Sequence, residues 1–337
     1  MSDATLHGTT KPLQEFFDVA LVDLDGVAYK GPDAIPSAPP ALAQARGAGL
    51  QLIFVTNNAS REPEEVSGQL SSLGIPTEAT EVMTAAQAGA IMLTEHVAKG
   101  SRVLVIGGKG LRTAVAAAGY DVVDSADDAP AAVIQGYAPN IGWKDFAEAT
   151  YAIHGGARFF ATNLDMTLPT NRGMAPGNGA LVGVVATATG VTPLAAGKPE
   201  PAMFHMAAER TGAQRPLAIG DRLDTDLKGA RAANIPGLMV LTGVNDARDA
   251  LLAPADQRPS FIGADLSCLA EAHPEPCVSG EWVHVGEARA RVTEGHLLVD
   301  GGTDIDRVRA ACVAAWAAAD AGQKVVVETL PHLGVTF

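Results

Sequence analysis

Cysteine, positive charge and long apolar runs are all scarce in this chain of 337 residues, and each scarcity excludes something. The three cysteines, Cys268, Cys277 and Cys312, are an odd number without a CxxC pair, which argues against both a disulfide framework and a zinc ribbon. A reducing cytoplasm fits them best. Lysine and arginine total 24 against 38 aspartates and glutamates, a formal charge of -14 that opposes nonspecific attraction to nucleic acid or to an anionic membrane. An anionic substrate would need a local positive site working against that field. The longest apolar stretch, Ala310 to Ala319, falls well short of the ~20 residues that span a bilayer and reads as a packed helix. The eight histidines are scattered and form no HExxH, so zinc has little support. The opening MSDATLHGTTKPLQ has no basic segment followed by an apolar core, and residues 1–14 are expected to be a loose leader rather than a secretory signal.

What is present is a chain able to bury a large interior: 47% of residues are hydrophobic and 18% charged, and the length suggests two or three domains. Strand-like and helix-like stretches alternate. VALVDLD precedes the helical PALAQARGAG, and LQLIFVTNN precedes the helical PEEVSGQLSSLG. Further strands read in SRVLVIGGKGL, AAVIQGY, ARFFATNLD, RPLAIG and GLMVLTG, and PGNGALVGVVATATG reads as a helix opened by a glycine-rich loop. This rhythm predicts an α/β fold with a Rossmann-like, doubly wound parallel-sheet core. Past Pro274 and Pro276 the pattern changes: EWVHVGEARARVTEGHLLVDGG alternates like antiparallel strands, DIDRVRAACVAAWAAADAG is helical, and KVVVETL reads as a final strand. The tail is therefore expected to be a small C-terminal α+β unit, with Trp282 and Trp316 as its core aromatics.

Four segments place polar residues where an open α/β sheet binds ligands, after an apolar strand or just ahead of a helix. The first strand delivers Asp23 and Asp25, followed by Gly26; the second delivers Thr56, Asn57 and Asn58; the loop AAGKPEP delivers Lys198; and PLAIG delivers Asp221, Asp224 and Asp226 in what reads as a short loop. Taken singly, each has an ordinary reading as turn chemistry, a helix cap, a surface lysine or a solvated acidic loop. Four such loops in one chain are hard to credit to chance.

DLDGV, FVTNN, GKPEP and GDRLDTD together resemble the ordered motifs of the haloacid dehalogenase superfamily of phosphohydrolases, over roughly residues 15 to 270. The TNN and GKPEP forms, with ATNLDMTLPTNRGMAPGNGAL, resemble its nitrophenylphosphatase (NagD-like) branch, the class with a large inserted cap. The resemblance implies that Asp23 is the nucleophile, forming an aspartyl-phosphate, and that Asp25 protonates the leaving alcohol and later activates water. It implies Mg2+ held by a side-chain oxygen of Asp23, the backbone carbonyl of Asp25 and the carboxylate of Asp221, with Asp226 behind them. Lys198 and the Thr56 hydroxyl would bind the phosphoryl oxygens, joined by backbone amides from Leu24, Asp25 and Asn57. Asp224 receives no role and is expected to be a solvated acid.

The stretch between Thr56 and Lys198 is far longer than one crossover helix and must carry an inserted domain, which the resemblance implies is a large α/β cap. The expected division is a core in two parts, 15–82 and 193–272, flanking a cap at 83–192, with an accessory unit at 273–337. In the cap, TNLDMTLP corresponds to the family's substrate-reading loop, where Asn163, Asp165, Leu168 and Arg172 are expected contacts. The pyridoxal phosphatase branch carries histidine where Leu168 stands, and the glycerol phosphate and phosphoglycolate branch carries leucine. Leu168 thus points to a small aliphatic phosphate monoester such as glycerol 3-phosphate. The alternatives are a pyridoxal phosphate or nucleotide phosphatase on the same core, a phosphomutase or dehalogenase, or a non-catalytic regulator retaining the fold.

Other apparent motifs fail. GNGALVG has Val182 at the third glycine position of a dinucleotide loop, and GGKGL around Lys109 lacks the hydroxyl residue a Walker loop needs after its lysine. The tail's expected β-β-α-β order resembles part of an acetyltransferase (GNAT-like) fold, but the acetyl-CoA pyrophosphate loop is absent. A structural or docking unit is the expected role, with a homo-oligomeric interface as one place for it.

Overall fold

The computed structural model describes residues 5–170, 172–331 and 333. The chain divides into two units: one holds the chain up to Ile53, Leu73–Ile75 and everything from Ala208 onward, the other Phe54–Ser72 and Pro76–Ala207.

In the first unit, four parallel strands lie in the order Phe261–Gly263, Gly237–Val240, Pro216–Gly220 and Val19–Val22. Val19–Val22, Gly237–Val240 and Phe261–Gly263 are buried along their whole length, as continuous apolar runs covered on both faces must be. The strand Gln51–Thr56 begins in this unit, where the Gln51 N–H donates to the Asp18 carbonyl at 3.1 Å. Register places Val22 beside Ile219, so Asp23 and Asp221 follow neighbouring strands at the same sheet edge.

The second unit carries a five-stranded, all-parallel sheet in the order Leu194–Ala195, Arg158–Ala161, Ala132–Gln135, Arg102–Ile106 and Asp121–Val123. Leu104, Ile106 and Val133 pack against Ala149 and Ile153 of the helix Trp143–His154 and against Val182 and Val185 of the helix Asn178–Thr189. The helix Ala85–His96 starts at a capping box, with the Gln87 N–H donating to the Thr84 hydroxyl at 3.2 Å and the Gln87 side chain accepting the Thr84 N–H at 3.1 Å. In the same unit Gln51–Thr56 pairs in parallel with Val82–Thr84, through Phe54, Val55 and Thr56. Both sheets are parallel and flanked by helices, which is the expected fold class.

The leader is not loose where it is described. Leu6 and Leu13 are buried, and the N–H groups of His7, Thr9 and Leu13 donate to the carbonyls of Ser260, His273 and Glu271. The absence of a targeting pattern bears on export and says nothing of how these residues pack.

The tail also departs from expectation. It forms an antiparallel sheet of Cys277–Ser279, Trp282–Val285, Ala288–Thr293 and His296–Asp300, followed by the helix Asp304–Asp320. KVVVETL is not a strand: the Val326 N–H donates to the Gly295 carbonyl at 2.8 Å, and Val327–Thr329 closes into a short 3-10 turn. The order is β-β-β-β-α, which removes the strand the acetyltransferase comparison required. Val283, Val285, Ala288, Ala290 and Leu297 alternate inward against Val308, Ala311, Cys312, Ala315 and Trp316. The same cluster contains Met239, Leu241 and Ile262, so the tail shares the hydrophobic core of the first sheet. Trp316 is a core aromatic and donates its ring N–H to the Ala250 carbonyl at 2.9 Å. Trp282 is only half-buried and lies between the guanidinium groups of Arg289 and Arg291, at 4.6 and 4.7 Å from its ring centre.

Candidate active site

The first unit gathers the acids. Asp23, at the end of its strand, donates its N–H to the Ile219 carbonyl at 2.9 Å, which ties the first motif to the strand that carries Asp221. Ligand oxygens of Asp23, Asp221 and Asp226 all lie within 4.8 Å of one another, with Asp23 half-buried and the other two buried. Three carboxylates so close repel one another, and a divalent cation is the natural remedy. The donors are oxygens alone, which suits Mg2+ or Ca2+ and not a soft transition metal. Asp25 is exposed and bridges to Tyr29, while Leu24 is buried and its carbonyl accepts the Ala28 N–H at 2.8 Å.

Gly26 has a left-handed φ of 85°, and a Cβ there would collide with the Asp221 carboxylate. Asp221 is held by a loop that the sequence reading passed over. The Val244 N–H donates to Asp221 Oδ2 at 2.6 Å, the Asn245 N–H donates to its backbone carbonyl at 3.2 Å, and the Thr242 hydroxyl donates to the Gly26 carbonyl at 2.6 Å. The available signal was GLMVLTG, another apolar strand ending in small and polar residues.

The acids after Pro216–Gly220 do not share a loop. Asp221 precedes a π-helical turn, Leu223–Leu227, that carries Asp224 and Asp226. The wide turn faces Asp226 back along the chain, where its Oδ2 accepts the Arg222 N–H at 3.1 Å. Asp224 points elsewhere and pairs with Arg222 at 2.8 Å.

The second unit gathers the positive and amide groups. Lys198, only 3% exposed, donates its ammonium to the Val55 carbonyl at 3.1 Å. Its N–H donates to Asn57 Oδ1 at 2.8 Å, and its carbonyl accepts from Asn57 Nδ2 at 2.9 Å. Thr56 is buried and its hydroxyl oxygen accepts the Asn58 N–H at 3.1 Å. Asn163 and Asp165 join this cluster. Asn163 Nδ2 donates to the Asn57 carbonyl at 2.7 Å, and Asp165 Oδ2 accepts from Asn57 Nδ2 at 3.0 Å.

Leu168 and Arg172 stand apart on a hairpin of Thr167–Thr170 and Gly173–Pro176, in which Leu168 faces Ala175. Arg172 is exposed at its tip. The GGKGL stretch opens the helix Lys109–Ala117, where the Gly110 N–H donates to the Ser60 carbonyl at 3.1 Å and Lys109 pairs with Glu62 at 2.6 Å. That bond holds the Glu62 carboxyl below its ordinary range and the Lys109 ammonium above its own.

A parallel-sheet fold with an oxygen-only acid cluster at its strand ends defines a metal-assisted hydrolase. The chain belongs to the haloacid dehalogenase-like hydrolase family, on its phosphatase branch: residues 20–121 match the haloacid dehalogenase-like hydrolase model and residues 195–269 a second, HAD-hydrolase-like one. It is 42% identical over 319 residues to D-glycerol 3-phosphate phosphatase of Mycobacterium tuberculosis, covering 91% of this chain and 88% of that one. The crystal structure of a glycerol phosphate phosphatase from the same organism in complex with magnesium superposes with a TM-score of 0.83 at 41% identity, over 91% of this chain and 92% of the other. An acid sugar phosphatase of Staphylococcus saprophyticus is 37% identical over 249 residues, which span 94% of its length but 73% of this chain.

Proposed function

We propose that this protein is a magnesium-dependent phosphatase of small phosphate monoesters, with glycerol 3-phosphate or phosphoglycolate preferred. The observation that carries the reading is the convergence of Asp23, Asp221 and Asp226, in a chain whose relatives include a D-glycerol 3-phosphate phosphatase. Asp23 attacks phosphorus and is transiently phosphorylated. Asp25, exposed and two residues further on, gives a proton to the departing alcohol and takes one from the water that cleaves the acyl-phosphate. Asp221 and the Asp25 carbonyl, with Asp23, would hold the ion, and Asp226 would steady them. The ion, when bound, offsets the charge of two approaching anions. Lys198 supplies a fixed positive charge for the phosphoryl oxygens, and the Thr56 hydroxyl and nearby amides complete the cradle.

The same reading keeps a core at 15–82 and 193–272, a cap at 83–192 and an accessory unit at 273–337. It places the protein in the cytoplasm, where its three free thiols would persist. Leu168 favours a small aliphatic leaving group.

The test is release of inorganic phosphate from glycerol 3-phosphate, phosphoglycolate, pyridoxal phosphate, nucleotides and nitrophenyl phosphate, with and without Mg2+. The expected result is metal-dependent turnover, abolished by Asp23→Asn, with the highest kcat/KM on one of the first two. A folded wild type inactive on the whole panel refutes the phosphatase, and preference for pyridoxal phosphate or nucleotides refutes the substrate.

A further inference from the structure

The Asn57 side chain makes three hydrogen bonds to two neighbours. One Nδ2 hydrogen goes to the Lys198 carbonyl at 2.9 Å and the other to Asp165 Oδ2 at 3.0 Å, while Oδ1 accepts the Lys198 N–H at 2.8 Å. The Asn57 backbone is held as well, by Asn163 Nδ2 on its carbonyl at 2.7 Å. The loop that brings these groups is itself anchored. Asn178, buried at the start of its helix, donates to the Asn163 carbonyl at 2.8 Å, and the Gly179 N–H donates to the Asp165 carbonyl at 2.8 Å. Glycine is required there, because a Cβ at Gly177 or Gly179 would fall on the carbonyls of Asp165 and Leu164. The PGNGAL stretch thus serves to seat the 163–165 loop.

An asparagine amide can turn over and exchange its oxygen and nitrogen, but an ionised carboxylate only accepts hydrogen bonds. The Lys198 N–H only donates and its carbonyl only accepts, so both call for the same Asn57 orientation, and Asp165, accepting from Nδ2, locks the amide in it. We infer that Asp165 is a positioning residue: through Asn57 it fixes the backbone of Lys198, and it is not a ligand of the substrate's leaving group. This rests on the phosphatase reading, in which Lys198 neutralises the phosphoryl group. The same loop that was expected to select the substrate then also sets the catalytic lysine.

The two roles separate kinetically on substrates with different leaving groups. For Asp165→Ala, kcat is expected to fall by about tenfold or more, equally on nitrophenyl phosphate and glycerol 3-phosphate, with KM changed less than about threefold on either. Asp165→Asn keeps an acceptor for the Asn57 amide and is expected to lie between wild type and Asp165→Ala. Asp165→Ser, whose hydroxyl is too short to reach, replaces the alanine variant if that one does not fold, and thermal melts accompany each protein. Wild-type turnover of nitrophenyl phosphate checks the underlying reading separately. A rise in KM confined to glycerol 3-phosphate, or an unchanged kcat in Asp165→Ala, overturns the inference.

Discussion

Val244 donates its backbone N–H to Oδ2 of Asp221 at 2.6 Å, so the orientation of a buried acid is set by a loop that leaves the next strand of the sheet. Between Thr242 and Val244 the chain must pass directly over the carboxylate, and only glycine permits it: a Cβ on Gly243 would overlap Asp221 Oδ2. Gly243→Ala is therefore expected to turn the carboxylate away, weakening Mg2+ binding in calorimetric titration by about tenfold or more. Overpacking should also cost about 1–3 kcal/mol of stability in urea. An unchanged binding isotherm would show that the loop is not what orients Asp221.

Much of this site was legible because its chemistry sits at strand ends. Four-residue apolar runs such as Val19–Val22 announce a buried parallel strand, and the polar residues after them announce the ligand edge. The Thr242 to Asn245 loop was harder to see, since what it gives Asp221 comes from two backbone N–H groups and from the absence of a Cβ, none of which distinguishes it from an ordinary turn. Asp224 and Asp226 look alike in sequence, and only the π-helical turn decides that one faces the other acids while its neighbour pairs with Arg222. The final strand was misjudged for a reason of context. Val325 and Leu330 do pack, partly buried, against the core, but the 3-10 turn at Val327–Thr329 interrupts any extended run between them.

Arg258 is almost wholly buried, yet its partner is not. The guanidinium side chain is 3% exposed and grips Asp320 through two bonds of 2.7 and 2.8 Å, while Asp320 is 59% exposed. The Arg258 hydrogen bond holds the Asp320 carboxyl below its usual range. The desolvation cost falls on the arginine, which also stacks 5.5 Å from the Trp316 ring and donates to the Ala253 carbonyl. Asp320→Ala would leave that cation buried without its counter-charge, and solvent near the carboxylate limits the loss to ~2 kcal/mol. Asp320→Asn keeps an acceptor and should lose about half as much. Urea unfolding of both variants checks the ranking, and equal stability of all three proteins would mean that water replaces the carboxylate without penalty.

His273 makes the fold sensitive to acid. Burial, with a smaller contribution from the nearby Arg309 guanidinium, pushes its imidazole down to about 3, so it is neutral in the native state throughout the ordinary pH range. It packs edge-on against Phe261 at 5.4 Å, and its backbone N–H and carbonyl are both engaged by Thr9. An unfolded histidine titrates near 6.5, so below that pH the unfolded chain binds a proton that the native chain refuses. The stability contributed by the neutral ring is complete above about 6.5 and drains away as pH falls toward 3. Between pH 7.5 and 5 the loss amounts to roughly 2 kcal/mol, at about 1.4 kcal/mol per pH unit below 6.5. Comparison with a variant cancels the contributions of the other titrating groups. His273→Phe retains an aromatic ring against Phe261 and both backbone bonds while removing the proton site, so its stability should fall less steeply over the same interval. Urea midpoints at several pH values for the two proteins measure the difference, and parallel curves would mean that the native fold admits a charged imidazole at this position.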